Sequence, residues 1–233
     1  GLVESGTLSA TGFGLENGLV SAVLSGGAPV IKSTAGVVTL SGVNVLSGAM
    51  EITAGTLAVS GAGLLTSGSV TVSGVGTTLT LGRSSQSIGA FRLMDGVVES
   101  GTLAATAFGL ESGVVSAVLS GAAPVMKSTG GLVTLSGANA LSGAMDITVG
   151  TLAVSGVGLL TSGSVTVSGA GTTLTLGNTT QSVGAFRLVD GVVESGTLVA
   201  TGIGLESGQV SAAMSGAATV VKSTGGMVTL SGA

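Results

Sequence analysis

Apolar and polar residues alternate over short stretches of this chain, and the stretches recur at a long, nearly constant step. Stepping by 16 to 21 residues picks out Glu16, Lys32, Glu51, Thr71, Arg92, Glu111, Lys127, Asp146, Thr166, Arg187, Glu206 and Lys222. The residue before each is apolar, from Leu15, Ile31, Met50, Val70 and Phe91 through Leu110, Met126, Met145, Val165, Phe186, Leu205 and Val221. Successive strand residues point to opposite faces, so such a pair predicts one side chain in a core and its neighbour in solvent. A strand that recurs once per turn of a coil would stack like positions about 4.8 Å apart. The signs along the polar column run minus, plus, minus, neutral, plus and then repeat, which predicts opposed charges on adjacent strands. Ten of the sixteen charged residues fall in this column.

The coil has an internal period. Gly1-Leu-Val-Glu-Ser-Gly-Thr-Leu8 returns at Gly96–Leu103 and at Gly191–Leu198, a spacing of 95 residues. The column steps of 16, 19, 20, 21 and 19 residues fill one period, so five rungs make a unit. The units are 1–95, 96–190 and a partial third, 191–233, expected to form one continuous solenoid of about twelve rungs, roughly 60 Å long. Alternation is cleanest where Met50, Ile52, Leu57 and Val59 fall on one side and Glu51, Thr53, Thr56 and Ala58 on the other. Strands end at Gly or Ser-Gly, as sharp corners require, and no stretch carries a 3.6-residue period. Pro29, repeated as Pro124 and replaced by Thr219, predicts a strand entry that needs no donated hydrogen bond. The polar run Arg83-Ser-Ser-Gln-Ser predicts a surface loop. The fold expected is all-β: a right-handed parallel β-helix, or β-solenoid, of about five rungs per 95-residue repeat.

Composition sharpens this picture. The chain has 44 Gly, no Cys, no His and no Trp or Tyr, with 44% hydrophobic and 7% charged residues. So apolar a chain with so few rings suits a narrow core filled in layers by aliphatic side chains rather than a compact globule. The net charge of −4 arises outside the column, from Glu4, Asp95, Glu99, Asp190 and Glu194 against Arg83. No basic or aromatic cluster offers a nucleic-acid surface. The uncharged span 147–186 is broken by Gly, Ser and Thr and alternates with period two, so it does not predict a membrane helix.

The run Lys32-Ser-Thr-Ala-Gly-Val-Val-Thr-Leu-Ser-Gly-Val-Asn-Val-Leu-Ser-Gly-Ala-Met-Glu-Ile-Thr-Ala-Gly-Thr-Leu-Ala-Val-Ser-Gly61 resembles the autotransporter-associated β-strand repeat, also called the passenger-associated transport repeat. It recurs from Lys127 to Gly156 and begins again at Lys222. Val45-Leu46 and Ala140-Leu141 stand where that family often has aromatics and glycines. The resemblance implies a parallel β-helix in the exported passenger of a Gram-negative autotransporter or related surface protein. It implies an extracellular, cell-surface location, and it transfers no catalytic or binding residue.

Chemistry is scarce. Without His or Cys there is no Ser-His-Asp triad, no thiol nucleophile and no histidine metal site, and no cofactor or metal is expected. The nearest paired carboxylates, Asp95 with Glu99 and Asp190 with Glu194, read as solvated corners. Thr78 and Thr80 hint at an ice-binding ladder, but only some rungs carry it. An enzyme such as a polysaccharide lyase is therefore set aside. Two readings remain: a structural spine that spaces adhesive parts towards a host or neighbouring cell, and a filament subunit that self-associates end to end or laterally.

The column, with Glu16, Lys32, Glu51, Arg92, Glu111, Lys127, Asp146, Arg187, Glu206 and Lys222 as a structural ionic ladder, predicts specific neighbours. Lys32 should pair with Glu51, Lys127 with Asp146, Arg92 with Glu111 and Arg187 with Glu206. Ile31, Met50, Val70, Phe91 and Leu110 should form one buried stack. Both ends fall inside the repeat pattern, which predicts unpaired terminal rungs that would template further strands.

Overall fold

The computed structural model describes residues 1–61, 64–65, 67–156 and 159–232, which form parallel β-strands and, among them, no helix. The chain divides into two compact units, Gly1–Phe108 with Gly113–Val118, and Gly109–Ser112 with Leu119–Ala233. Each unit is a parallel β-solenoid whose rungs turn through three faces.

In the first unit, one face stacks Phe13–Leu15, Val30–Lys32, Met50–Ile52, Val70–Val72 and Ala90–Leu93. A second face stacks Leu2–Val3, Gly18–Val20, Val37–Leu40, Thr56–Val59, Thr78–Thr80, Val97–Glu99 and Gly113–Val115. The third carries Thr7–Ser9, Val23–Gly26 and Val45–Leu46, and above them Ser85–Ser87 and Thr102–Ala104. Between Val45–Leu46 and Ser85–Ser87 one rung contributes no strand among its described residues. The second unit repeats this plan. There the strands Val125–Leu135, Met145–Val154, Thr180–Leu188 and Thr197–Leu205 turn a corner without breaking.

The alternation predicted around Met50 holds, with Met50, Ile52, Leu57 and Val59 buried and Glu51 and Thr53 exposed. One inward stack is Phe13, Val30, Met50, Val70 and Phe91. Phe91 meets Phe108 edge to face, with centroids 6.2 Å apart, a favoured arrangement of ring quadrupoles. The stack predicted from the sequence is thereby corrected in two places. Ile31 is 43% exposed, and its neighbour Val30 fills the layer; Leu110 is buried, but Phe108 is the residue that meets Phe91. The prolines behave as expected, since strands begin immediately after Pro29 and Pro124.

Rungs touch so closely at one corner that side chains are excluded. A Cβ on Gly48 would collide with the Ala28 carbonyl oxygen, one on Gly68 with that of Gly48, and one on Gly89 would press on Gly68. Ala123, Gly143, Gly163 and Gly184 repeat the column in the second unit. The Glu-Ser-Gly corner instead places Ser5, Ser100 and Ser195 at φ of 55°, 59° and 60°. Serine tolerates this left-handed conformation at a cost of roughly 1–2 kcal/mol.

Candidate functional site

The polar column is real in its middle and displaced at its flanks. Glu51, Thr71 and Arg92 are consecutive register partners, as are Asp146, Thr166 and Arg187. The rung below Glu51 is the exception, because Ile31 and not Lys32 is opposite Glu51. Met126 likewise stands opposite Asp146. The column therefore continues downward as Gly14 and Ile31, and upward from Arg187 as Gly204 and Val221. Glu16 and Glu206 sit just past their strands, two positions beyond the column, and the lysines are one position beyond it.

Lys32 and Lys127 are thus corrected from outward to inward. Both are fully buried, and their register partners are Leu15 and Ile52 for Lys32 and Ile147 for Lys127. Their four-carbon stems fill a core layer while the amine reaches the corner, the way long cationic side chains snorkel. Lys32 Nζ donates to the Thr34 carbonyl and, at 3.0 Å, to the Ala54 carbonyl one rung on. Lys127 Nζ donates to the Thr129 carbonyl and, at 3.0 Å, to the Val149 carbonyl. Thr34, Thr129 and Thr224 then donate their hydroxyls to the carbonyls of Glu16, Glu111 and Glu206 at 2.7, 3.0 and 2.8 Å. Lys-Ser-Thr is therefore a corner device that ties three rungs together. Burial pushes both amines below their usual value, and for Lys127 the Glu111 carboxylate acts in the opposite sense. Lys222 takes the same inward register above Leu205, yet it is exposed in the last described rungs.

Arg187 and Glu206 meet as expected, their guanidinium and carboxylate forming a salt bridge. They meet on a diagonal, since the strand partner of Arg187 is Gly204. That glycine leaves the space above Arg187 open, and Glu206 leans back across it. Asp95 and Asp190 each accept the following glycine amide, at 2.7 and 2.8 Å, so they cap corners. Glu99 and Glu194 stack over Thr80 and Thr175 on the second face. Among the described residues no three acidic groups gather to hold a metal ion, and no helix is long and apolar enough to cross a membrane.

Four interior amides were not singled out from the sequence. Asn44 Oδ1 accepts Leu24 N–H at 2.9 Å while its Nδ2 donates to the Leu64 carbonyl at 2.6 Å, so one side chain links the rung below to the rung above. Asn139 does the same between Leu119 and Leu159. Gln86 Oε1 accepts Leu65 N–H at 2.9 Å, and Gln181 accepts Leu160 N–H at 2.8 Å. All four are buried. The polar run expected as a surface loop is accordingly a strand, Ser85–Ser87, with Gln86 turned inward. The available signal was period two itself: Ser85 and Ser87 flank a residue that can satisfy a buried peptide group.

These amides flank the strandless rung of the third face, where each unit has an open groove. One holds about 300 Å³, bounded by Val45, Leu46, Leu64, Ser85 and Ser87. Its counterpart holds about 360 Å³, bounded by Ala140, Leu141, Leu159, Thr180 and Ser182. No protein-family model, curated protein or solved structure matches this chain.

Proposed function

We propose that this chain is a structural spine: a non-enzymatic β-solenoid segment of a secreted bacterial surface protein, of the autotransporter-passenger kind, that spaces other parts away from the cell. The observation that carries the reading is repetition without singularity. Every polar device, from the Lys-Ser-Thr corners to the Asn and Gln bridges, recurs 95 residues later and ties rung to rung. Catalytic sites need ionisable groups converging on one cleft. Here the grooves are lined by Ser, Thr, amides and aliphatics. The exported location rests on the resemblance around Lys32–Gly61. Immunogold labelling of intact source cells, with protease shaving, tests it. Surface label removed by protease is the expected result; label only after permeabilisation would overturn it.

A second reading, lateral or end-to-end association into a filament, is favoured by apolar side chains in solvent. Ile31, Val37, Met126, Leu132 and Val149 are each 43–53% exposed, and extended exposed apolar surface tends to mark an interface. Analytical ultracentrifugation distinguishes the two, since the spine alone stays monomeric as concentration rises and the filament does not.

A further inference from the structure

We propose that the outward column of the first face is a self-recognition strip, which pairs with the strip of a second copy of this chain running in the opposite direction. The proposal rests on the reading that the chain associates laterally, and it assigns the face and the register of that contact.

The order of side chains carries the inference. Upward along the second unit, the register partners on the outside of this face are Met126, Asp146, Thr166, Arg187 and Gly204. A copy laid against it in reverse sets Gly204 against Met126, Arg187 against Asp146 and Thr166 against itself. Every position then meets its complement: an apolar side chain meets a gap, an acid meets a base, and the hydroxyls meet on a two-fold axis. The first unit carries Ile31, Glu51, Thr71 and Arg92 in the same sequence. A two-fold interface demands a surface that is its own complement, since residue i meets j wherever j meets i. Two strips level with each other and running the same way would oppose Asp146 to Asp146 and Arg187 to Arg187, which repels.

Local chemistry leaves the strip in need of such a partner. Neither Glu51 nor Asp146 has a hydrogen-bond or ion-pair partner among the described residues. Asp146 and Arg187 lie two rungs apart in their own column, roughly 10 Å, too far to neutralise each other. Arg187 keeps Glu206 on one side, yet its side chain is 59% exposed and has five donors to share. Met126 is exposed, and the Gly202–Gly204 patch is open: no atom lies within 4 Å of a Cβ position on Gly202, and Gly204 has only ordinary contacts there. The flank preceding the column is small, with Ala144, Ser164 and Ala185 exposed two positions before Asp146, Thr166 and Arg187. Sheets packed face to face stand about 10 Å apart, a gap that Asp and Arg close when they reach from opposite walls.

The test follows association of the full chain by sedimentation, using two fluorescently labelled pools. The wild type should self-associate, and more weakly in molar salt, because charge pairs set the register. Glu51→Arg with Asp146→Arg leaves the strip basic, and Arg92→Glu with Arg187→Glu leaves it acidic. Each should associate at least about tenfold more weakly than the wild type, and an equimolar mixture of the two should recover. All four substitutions together exchange the charges. That variant should pair with itself yet exclude the wild type, since the antiparallel register then sets acid on acid and base on base. Circular dichroism checks that each variant keeps its β-structure. Should one unfold, the neutral pair Glu51→Gln with Asp146→Asn, which should also weaken association, removes the same contacts. A wild type that stays monomeric at millimolar concentration would end both this proposal and lateral association. Undiminished association of either reversed variant, strengthening in molar salt, or co-assembly of the exchanged variant with the wild type would overturn the strip alone.

Discussion

Lys127 stacks beneath Ile147 in the parallel register, one position away from the Asp146 it was expected to face. A charged amine thereby occupies a layer otherwise filled by Ile147, Val167 and Leu188. It is tolerated because two corner carbonyls accept from it.

That placement fixes a pH dependence. With folded-state values lowered from 10.5, Lys32 and Lys127 hold fewer protons folded than unfolded between the lowered value and 10.5. Unfolding free energy therefore rises with pH through that window, and the penalty for burying the charge is fully felt below it. Urea unfolding followed from pH 8 to about 10.5 should show this rise, and the double variant Lys32→Met with Lys127→Met should flatten it.

The ring stack predicts a large loss on truncation. Phe91→Ala and Phe186→Ala each remove a fully buried ring and should cost about 3–5 kcal/mol in urea unfolding. A double-mutant cycle between Phe91 and Phe108 should return a further ~0.5–1.5 kcal/mol of coupling for the edge-to-face contact.

Removing an amide bridge leaves peptide groups stranded. Asn139→Ala should cost about 1–3 kcal/mol, because Leu119 N–H and the Leu159 carbonyl both lose their partner in the interior. Hydrogen exchange at Leu119 should accelerate more than at residues two rungs away.

Gly68→Ala tests the glycine corner. The added methyl would run into the Gly48 carbonyl, and backbone on both sides cannot step aside. A loss of roughly 1–3 kcal/mol is expected, as for overpacking elsewhere. Gly61→Ala is the comparison for positive φ without collision, since nothing lies near its Cβ position.

The surface ion pair should matter least. Arg187 is mostly exposed, so Arg187→Ala should change stability by about 0–1 kcal/mol, and less in high salt.

Most of the architecture was legible because period two and the 95-residue repeat report the strand faces directly. Glu51, Thr71 and Arg92 could be aligned from sequence because their rungs present clean alternation. The lysines misled because charge was assigned to solvent by rule. Val30-Ile31-Lys32 fits the pattern equally well with Val30 and Lys32 inward, and only the Thr34 and Ala54 carbonyls decide between the two. Glu16 slipped by two positions for a related reason: the corner between strand and rung varies in length, and an acidic residue beside a strand looks like one within it. Asn44 and Gln86 stayed hidden because their partners are peptide groups of other rungs, which no local pattern encodes.

The buried lysines carry a consequence for resistance to proteolysis. Trypsin-like proteases cut after Lys and Arg, and this chain holds six such residues. Two of them, Lys32 and Lys127, have their side chains sealed within the core and are out of reach of a specificity pocket unless a rung opens. Digestion of the folded chain should therefore begin at Arg83, Arg92, Arg187 or Lys222, and the long stretch between Arg92 and Arg187 should persist as a single resistant fragment.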